Sequence, residues 1–344
     1  MKQLNLVVPG LLGPFADELP AYIQQQLKQS EYSQINKLLS RAEIADLKSS
    51  TYYEILVHLI DPQCQLSLCQ LTAAFDEIDT SEGFYYRADP VHFKAQTDHA
   101  ILIGTDIVSP TRGEAALLVE SFNQHFLDDN LSLHFADENR WYLKSSKPLN
   151  LDFTSLDYAL GRDIKHFMPQ DSAEGEDGLW WRKILNEAQM LFFQHEVNQS
   201  REARGELTIN GLWLWDVSAC STDDKKMQVN QLFTDEVMAI ALAKGLPQPS
   251  GKTLQPVNEF ENIDSSAVLV LDTLFESVCY GDADAWLEAL TQFCKEPLQR
   301  IMNLLSSKKI DEIYIYPCNG QVYRVDRMQL LKFWKKNSSI ASYI

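Results

Sequence analysis

The chain has 344 residues, of which 45% are hydrophobic and 23% are charged, and this composition supplies enough apolar side chains for a sizeable buried core. Its 30 basic and 48 acidic residues give a net charge of −18. A surface of this charge repels phosphate backbones and anionic membranes, so neither a nucleic acid nor a membrane is expected as a partner.

The first residues predict a cytoplasmic protein. The apolar stretch from Leu4 to Leu12 is short, contains Asn5 and Pro9, and is followed by no small-residue cleavage pattern. No stretch of the sequence reaches the ~18 consecutive apolar residues that span a bilayer. The six cysteines form no Cys-x-x-Cys pair, which favours reduced thiols over a zinc or redox motif.

Short apolar runs alternate with longer helical patterns along the chain. Predicted strands lie, in chain order, at residues 4–8, 84–86, 100–103, 131–135, 140–143, 212–215, 267–271, 313–316 and 322–325. Predicted helices lie at about residues 16–39, 52–60, 111–127, 179–204, from 282 with a break before Pro297, and 328–335. The alternation favours an α/β protein with a mostly parallel sheet and helices on both faces.

Two local signals refine these predictions. Thr111 and Glu114 have the spacing of a capping box and should open a helix, and Gly205 is well placed to end one. The pair Asp89-Pro90 should form an irregular corner between two strands.

The segment from Gln194 to Asn210 carries the main functional signal. On a helix, His195, Asn198 and Glu202 share one face, and Arg201 and Arg204 follow round from it. Histidine, amide and guanidinium groups can together hold an anionic or hydroxylated ligand, because arginine forks onto phosphate or carboxylate oxygens. The same spacing is also typical of an ordinary charged helix end with a half-buried histidine.

This segment resembles the H-P-V-N-x-x-R-x-x-x-G-x-x-x-x-N signature of archaeal-type cofactor-independent phosphoglycerate mutases. The matching residues are His195, Val197, Asn198, Arg201, Gly205 and Asn210. Over most of its length the chain more closely resembles a proteobacterial group of phosphoglycerate-mutase-like proteins that includes a regulatory protein of a pathogenicity-factor cluster. The residues that carry this second resemblance are 88–92, 139–143 and 198–215.

The resemblance implies an alkaline-phosphatase-like fold over residues 1–344, with a smaller inserted domain at about residues 84–178. In active relatives, two divalent metals at the C-terminal edge of the sheet are held by aspartates and histidines. A serine or threonine there carries the phosphoryl group, and the metals polarise the phosphoryl oxygens.

The sequence departs from that family pattern at the positions that would bind metal. The first strand ends in Pro9-Gly10 where an aspartate is expected, and Asp272 follows a later strand without an Asp-Gly-His turn. All seven histidines lie within the first 195 residues, and Glu196 replaces the proline of the signature. These departures predict that two-metal phosphoryl transfer has been lost and that the protein carries no cofactor.

We therefore expect a phosphoglycerate-mutase-like pseudoenzyme that acts in regulation or ligand binding, with an unidentified protein partner. Its ligand would be a phosphorylated sugar acid or another small anion, bound by His195, Asn198, Arg201, Arg204 and Asn210. Two alternatives remain open. One is an active phosphomutase or phosphohydrolase with a carboxylate-rich Mg²⁺ or Mn²⁺ site. The other is an interaction protein without a ligand site, in which these residues brace the fold.

Overall fold

A computed structural model describes residues 2–13, 15, 18–60, 66–172, 177–217, 230–245, 253–332 and 334–344. The chain divides into two compact units. Unit 1 comprises Met1–Cys64 and Ala219–Ile344, and unit 2 comprises Gln65–Ser218. Unit 2 therefore lies, in the sequence, between the two parts of unit 1, and the predicted range 84–178 falls within it.

The secondary structure follows the expected alternation. The strands are β1 (Gln3–Val7), β2 (Glu43–Asp46), β3 (Phe84–Ala95), β4 (Ala100–Ile103), β5 (Leu131–Asp137), β6 (Arg140–Ser145), β7 (Leu151–Asp152), β8 (Gln170–Asp171), β9 (Gly211–Trp215), β10 (Gln231–Phe233), β11 (Thr253–Gln255), β12 (Ala267–Val270), β13 (Glu312–Tyr316) and β14 (Gln321–Asp326).

The α-helices are α1 (Ala21–Gln26), α2 (Ser33–Arg41), α3 (Tyr52–Ile60), α4 (Leu68–Phe75), α5 (Thr105–Val108), α6 (Arg112–His125), α7 (Leu156–Ala159), α8 (Asp177–Gln194), α9 (Glu196–Ala203), α10 (Val237–Gly245), α11 (Phe275–Cys279), α12 (Ala283–Lys295), α13 (Pro297–Ser306) and α14 (Arg327–Leu330). Short 3₁₀ turns occupy Ser30–Tyr32, Ile164–His166, Val257–Asn262 and Ile340–Ser342.

Unit 1 is built on a mostly parallel sheet. Its described strands have the order β11-β10-β12-β1-β13-β14-β2, and every pairing from β11 to β13 is parallel. The pairings of β14 with β13 and with β2 are antiparallel. The predicted α/β class with a mostly parallel sheet flanked by helices is confirmed.

The central strands of this sheet are apolar along nearly their whole length, as strands covered on both faces must be. All four residues of β12 are buried, and so are the last four of β1. Helix α12 contributes Trp286, Leu290 and Phe293 to the same core. The described helices are all too short or too polar to cross a membrane.

Unit 2 contains an antiparallel sheet of order β4-β3-β6-β5, and β9 also pairs with β3. The predicted corner at Asp89-Pro90 is wrong, because β3 runs straight through it and Pro90 lies opposite Leu212 of β9. The buried Asp89 carboxylate accepts hydrogen bonds from Arg87, from the Trp141 amide and from the Trp215 indole. These bonds connect β3 to β6 and to β9 and keep the strand continuous past the proline, which cannot donate.

The capping box of Thr111 and Glu114 is confirmed at the start of α6. The predicted helix at residues 328–335 is shorter than expected, since α14 ends at Leu330. The Arg41 guanidinium donates a hydrogen bond to the Leu330 carbonyl oxygen. That oxygen would otherwise be an acceptor for the next helical turn.

Candidate functional site

His195 separates two helices where the sequence predicts one. It is the N-cap of α9, with extended backbone angles of φ −72° and ψ 140°, and its Nδ1 atom accepts a hydrogen bond of 3.2 Å from the Val197 amide. The continuous helix predicted over residues 179–204 is therefore wrong at this residue, and His195 does not share a helix face with Asn198. Its ring satisfies one of the free amides at the helix start.

Asn198 connects three segments of unit 2. Its side chain is 1% exposed, and its Nδ2 atom donates to the carbonyl oxygens of Phe192 and Ile209. Its Oδ1 atom accepts a hydrogen bond of 2.8 Å from the Ile209 amide. The amide group therefore uses both donors and its acceptor within the protein.

Arg201 is 2% exposed and has protein partners on all its nitrogen atoms. Its Nε atom donates to the Leu207 carbonyl oxygen at 2.7 Å, and one terminal nitrogen donates to the Val108 carbonyl oxygen. The other terminal nitrogen forms an ion pair with Glu114 at 2.7 Å. The guanidinium thus joins α9, the end of α5 and the start of α6.

Arg204 lies at the surface beside this buried pair, with 47% of its side chain exposed. It forms ion pairs of 2.7 Å with Glu114 and with Glu206. The hydrogen bond from Arg204 lowers the pKa of Glu206. Burial raises the pKa of Glu114, but hydrogen bonds from Thr111 and Arg204 and the charge of Arg201 outweigh it and lower the pKa overall.

Asn210 is the last of the predicted ligand residues, and it pairs with the backbone of β3. Its Oδ1 atom accepts from the Phe93 amide at 2.7 Å, and its Nδ2 atom donates to the Phe93 carbonyl oxygen at 3.1 Å. Gly205, with φ +74°, ends α9 as predicted, in a left-handed conformation that favours glycine.

Two of the predicted residues border an open cleft of about 720 Å³ in unit 2. The lining residues are Ile107, Val108, Ser109, Thr111, Glu114, Arg201, Arg204, Gly205, Glu206 and Leu207. We refer to this space as the arginine cleft. The structure brings Arg201 and Arg204 together there, while the bonds of His195, Asn198 and Asn210 described above run to neighbouring backbone.

Glu114 and Glu206 are the charged residues of the cleft that sequence reasoning missed as site residues. Glu114 lies 87 residues from Arg201 along the chain, and its capping-box role gave no sign of the second contact. Glu206 stands two residues after Arg204, a spacing that would have suggested a local ion pair.

The family resemblance would place metals at the strand ends of unit 1. The described side chains Glu236 and Asp272 there are acidic, in contrast to the paired arginines and glutamates of the arginine cleft. Glu236 follows β10, and its two carboxylate oxygens accept the amides of Met238 at 2.9 Å and Ala239 at 2.6 Å. Burial raises its pKa to about 7, opposed by those two amide bonds and reinforced by the nearby charge of Asp272. Burial also raises the pKa of Asp272.

The described side chains at these strand ends do not fit a two-metal centre. Among the described residues, no group of three or more His, Cys, Asp or Glu side chains is arranged to hold a metal ion. Of the seven histidines, only His58 belongs to unit 1. Both carboxylate oxygens of Glu236 already accept hydrogen bonds from amides of α10, so this side chain is engaged in capping the helix.

Neither a family model nor a curated protein matches the sequence. Among solved structures, the chain is similar to a cofactor-independent phosphoglycerate mutase from Thermoplasma acidophilum DSM 1728, with 13% identity, a TM-score of 0.43, and coverage of 100% of this chain and 95% of that one. It is also similar to the PH0037 protein from Pyrococcus horikoshii, with 12% identity, a TM-score of 0.51, and coverage of 99% of this chain and 91% of that one. The latter similarity supports a shared fold.

Proposed function

We propose that this protein binds a small anion, such as a phosphorylated sugar acid, in the arginine cleft and carries out no two-metal phosphoryl transfer. Its role would be ligand-dependent regulation. The observation that supports this proposal is the placement of Arg201 and Arg204 side by side at an open cleft of about 720 Å³.

The arginine cleft offers a fixed cation and an adaptable one. Arg201 is held by two backbone carbonyl oxygens as well as by Glu114, so its position is set by the fold. Arg204 is held by carboxylates alone and is 47% exposed. The Arg204 guanidinium can donate to two oxygens of a ligand phosphate or carboxylate, as it now does to those of Glu206.

In this proposal Glu206 competes with the ligand for Arg204, with which it is paired in the structure. It is 43% exposed, and an exposed ion pair contributes only about 0–1 kcal/mol, so its displacement from Arg204 costs little. With Glu206 in place the four charged side chains of the cleft balance, and once it moves aside the cleft becomes cationic. In a chain of net charge −18, such a local excess of positive charge is what an anion requires.

The acidic side chains at the strand ends of unit 1 argue against phosphoryl transfer there. Burial raises the pKa of Tyr52, and the nearby charges of Glu236 and Asp272 raise it further, a sign that the two carboxyl groups lie near the same small region. Phosphate oxygens would be repelled from such a region unless metals neutralised it, and the described residues fit no such centre.

Thermal unfolding with and without 3-phosphoglycerate tests the ligand proposal, with 2-phosphoglycerate, glycerate and inorganic phosphate as comparison ligands. We expect the phosphorylated acids to raise the Tm of the wild type by mass action. Arg204→Ala should abolish the shift, while Glu206→Gln should tighten binding by up to about fivefold, the factor that corresponds to an exposed ion pair.

Arg300→Ala is the matched control, because Arg300 also pairs with two glutamates but lies in unit 1. Its ligand-induced shift should equal that of the wild type. A wild type that none of the four ligands stabilises, or an Arg204→Ala protein that keeps the full shift, would refute the proposal.

A second candidate function is that of an interaction protein without a ligand site. It is favoured by the bonds of His195, Asn198, Arg201, Arg204 and Asn210, each of which engages the protein's own groups. On this alternative the arginine cleft is only the outer side of a structural brace, and anions leave the Tm unchanged.

A further inference from the structure

Positive charge is concentrated in one short segment near the end of the sequence. From Arg327 to Ile344 the chain contains four basic residues and no acidic one. Removing these four from the 30 basic residues leaves 26 against 48 acidic ones, a net charge of −22 for the first 326 residues. The segment is therefore opposite in sign to the rest of the molecule.

Large apolar side chains are exposed in the same segment. Met328 is 71% exposed, Leu331 is 65% exposed and Trp334 is 70% exposed, at a regular spacing of three residues. We call the combined surface the basic-apolar patch. It consists of Arg327, Met328, Leu331, Lys332, Trp334, Lys335 and Lys336.

The backbone beneath this patch is anchored to unit 1. Asp326 and Gln329 form a capping box at the start of α14, and Arg41 holds its end through the Leu330 carbonyl oxygen. Leu330 packs against the core of unit 1, and the buried Ile340 follows the patch. The apolar side chains are thus presented outward from a fixed position.

The four cations are available to an external anion. In the described part of the chain, no carboxylate forms an ion pair with Arg327, Lys332, Lys335 or Lys336. The neighbouring Glu43 and Glu312 are instead paired with Arg324. At physiological ionic strength charges beyond about 8 Å are largely screened, so a surface brought against the patch meets mainly these cations.

We infer that the basic-apolar patch binds the surface of a bilayer containing anionic phospholipids. Tryptophan and leucine side chains flanked by lysines suit the headgroup boundary, where the rings and aliphatic groups enter the interface and the lysines meet phosphates. A stable protein interface usually involves about 20–30 residues on each side, which is far more than the patch provides. Few residues suffice for a lipid surface, because each inserts independently.

The overall charge of −18 predicts repulsion from anionic membranes, and the patch is a local exception to that expectation. Because the remaining 326 residues carry −22, the attraction acts only at short range and through this one surface. The binding should therefore be reversible, dependent on anionic lipid, and weakened by salt.

Vesicle sedimentation tests the inference with the full chain. We expect binding to vesicles of phosphatidylcholine and phosphatidylserine (about 70:30) at low salt, and at least tenfold weaker binding to phosphatidylcholine alone or at about 0.5 M NaCl. The triple variant Lys332→Glu, Lys335→Glu, Lys336→Glu and the single variant Trp334→Ser should each lose at least tenfold in affinity.

Matched controls lie outside the patch. Lys308→Glu with Lys309→Glu reverses two other exposed lysines of unit 1, and Leu127→Ser removes a leucine of unit 2 that is 73% exposed. Both controls should bind as the wild type does. The inference would be overturned if the controls lost as much affinity as the patch variants. It would also be overturned by equal binding to both lipid compositions, or by no binding at low salt.

Discussion

At the scale of single residues, the burial of Arg201 shows that part of the signature segment stabilises the fold. A guanidinium that is 2% exposed, with a carboxylate and two carbonyl oxygens as partners, is an integral part of the fold. Arg204, three residues later, shares the same Glu114 but is 47% exposed. The structural role of Arg201 and the proposed ligand-binding role of Arg204 can therefore be tested against each other.

Arg201→Ala should lower the free energy of unfolding by about 3–5 kcal/mol, because the Val108 and Leu207 carbonyl oxygens lose their donor and Glu114 loses its buried cation. Arg204→Ala should cost less than about 1 kcal/mol, as expected for an exposed ion pair. Urea unfolding followed by circular dichroism measures both values. If Arg201→Ala unfolds at the same urea concentration as Arg204→Ala, Arg201 is not the brace that its contacts indicate.

The sequence singled out this segment as a candidate site but could not assign these roles. The residue types at 195–210 show which groups can bind an anion, but not whether they face a ligand or the protein itself. Glu114 approaches Arg201 only through the packing of α6 against α9, and contacts over 87 residues leave no local pattern. That the five predicted residues bind a ligand stays a prediction.

At the scale of secondary-structure elements, the start of α10 carries an unusual cap. Glu236 accepts two amides of the first turn, as an N-cap side chain does, yet burial raises its pKa to about 7. A carboxyl whose pKa in the folded state exceeds its ordinary value of 4.5 binds its proton more tightly when folded. Stability from this group is therefore present at acid pH and is lost as pH rises from about 4.5 through about 7.

Glu236→Gln should remove that part of the pH dependence. The difference in Tm between variant and wild type should move in favour of the variant as pH rises from about 5 to 8, whatever its absolute value. Glu206→Gln is the control, because the pKa of Glu206 is lowered and its titration falls below this range. A Tm difference that stays constant from pH 5 to 8 would show that Glu236 titrates normally.

Helices and strands that depend on a local sequence signal were predicted well. Boundaries that depend on a side-chain contact were not. The apolar runs of β12 and β13 and the capping box of α6 are local signals, and each lies where expected. The break at His195 was missed because histidine is not among the usual N-cap residues, and here its side-chain nitrogen caps the next helix. The early end of α14 depends on Arg41, which is remote in sequence.

At the scale of the whole molecule, histidine is distributed unevenly between the two units. Unit 1 holds the mostly parallel sheet but contains one histidine, His58, whereas six lie in the sequence of unit 2. The family resemblance of the signature segment implies aspartates and histidines at the strand ends of such a sheet as ligands of two metals. The mostly parallel sheet thus agrees with the fold that the resemblance predicts, while the histidines that the resemblance would place at its strand ends are nearly absent from the sequence of unit 1.

We therefore expect no interconversion of 2- and 3-phosphoglycerate above background, whether or not Mn²⁺, Mg²⁺ or Co²⁺ is added. The physical reason is that the strand ends carry the acidic side chains Glu236 and Asp272, and the described residues provide too few metal ligands to bind the ions that would neutralise a phosphate there. A coupled assay with an active mutase as positive control measures the rate. Sustained turnover that a chelator abolishes, and that Glu236→Gln or Asp272→Asn diminishes, would instead establish an active enzyme with a carboxylate-rich metal site and would refute the pseudoenzyme proposal.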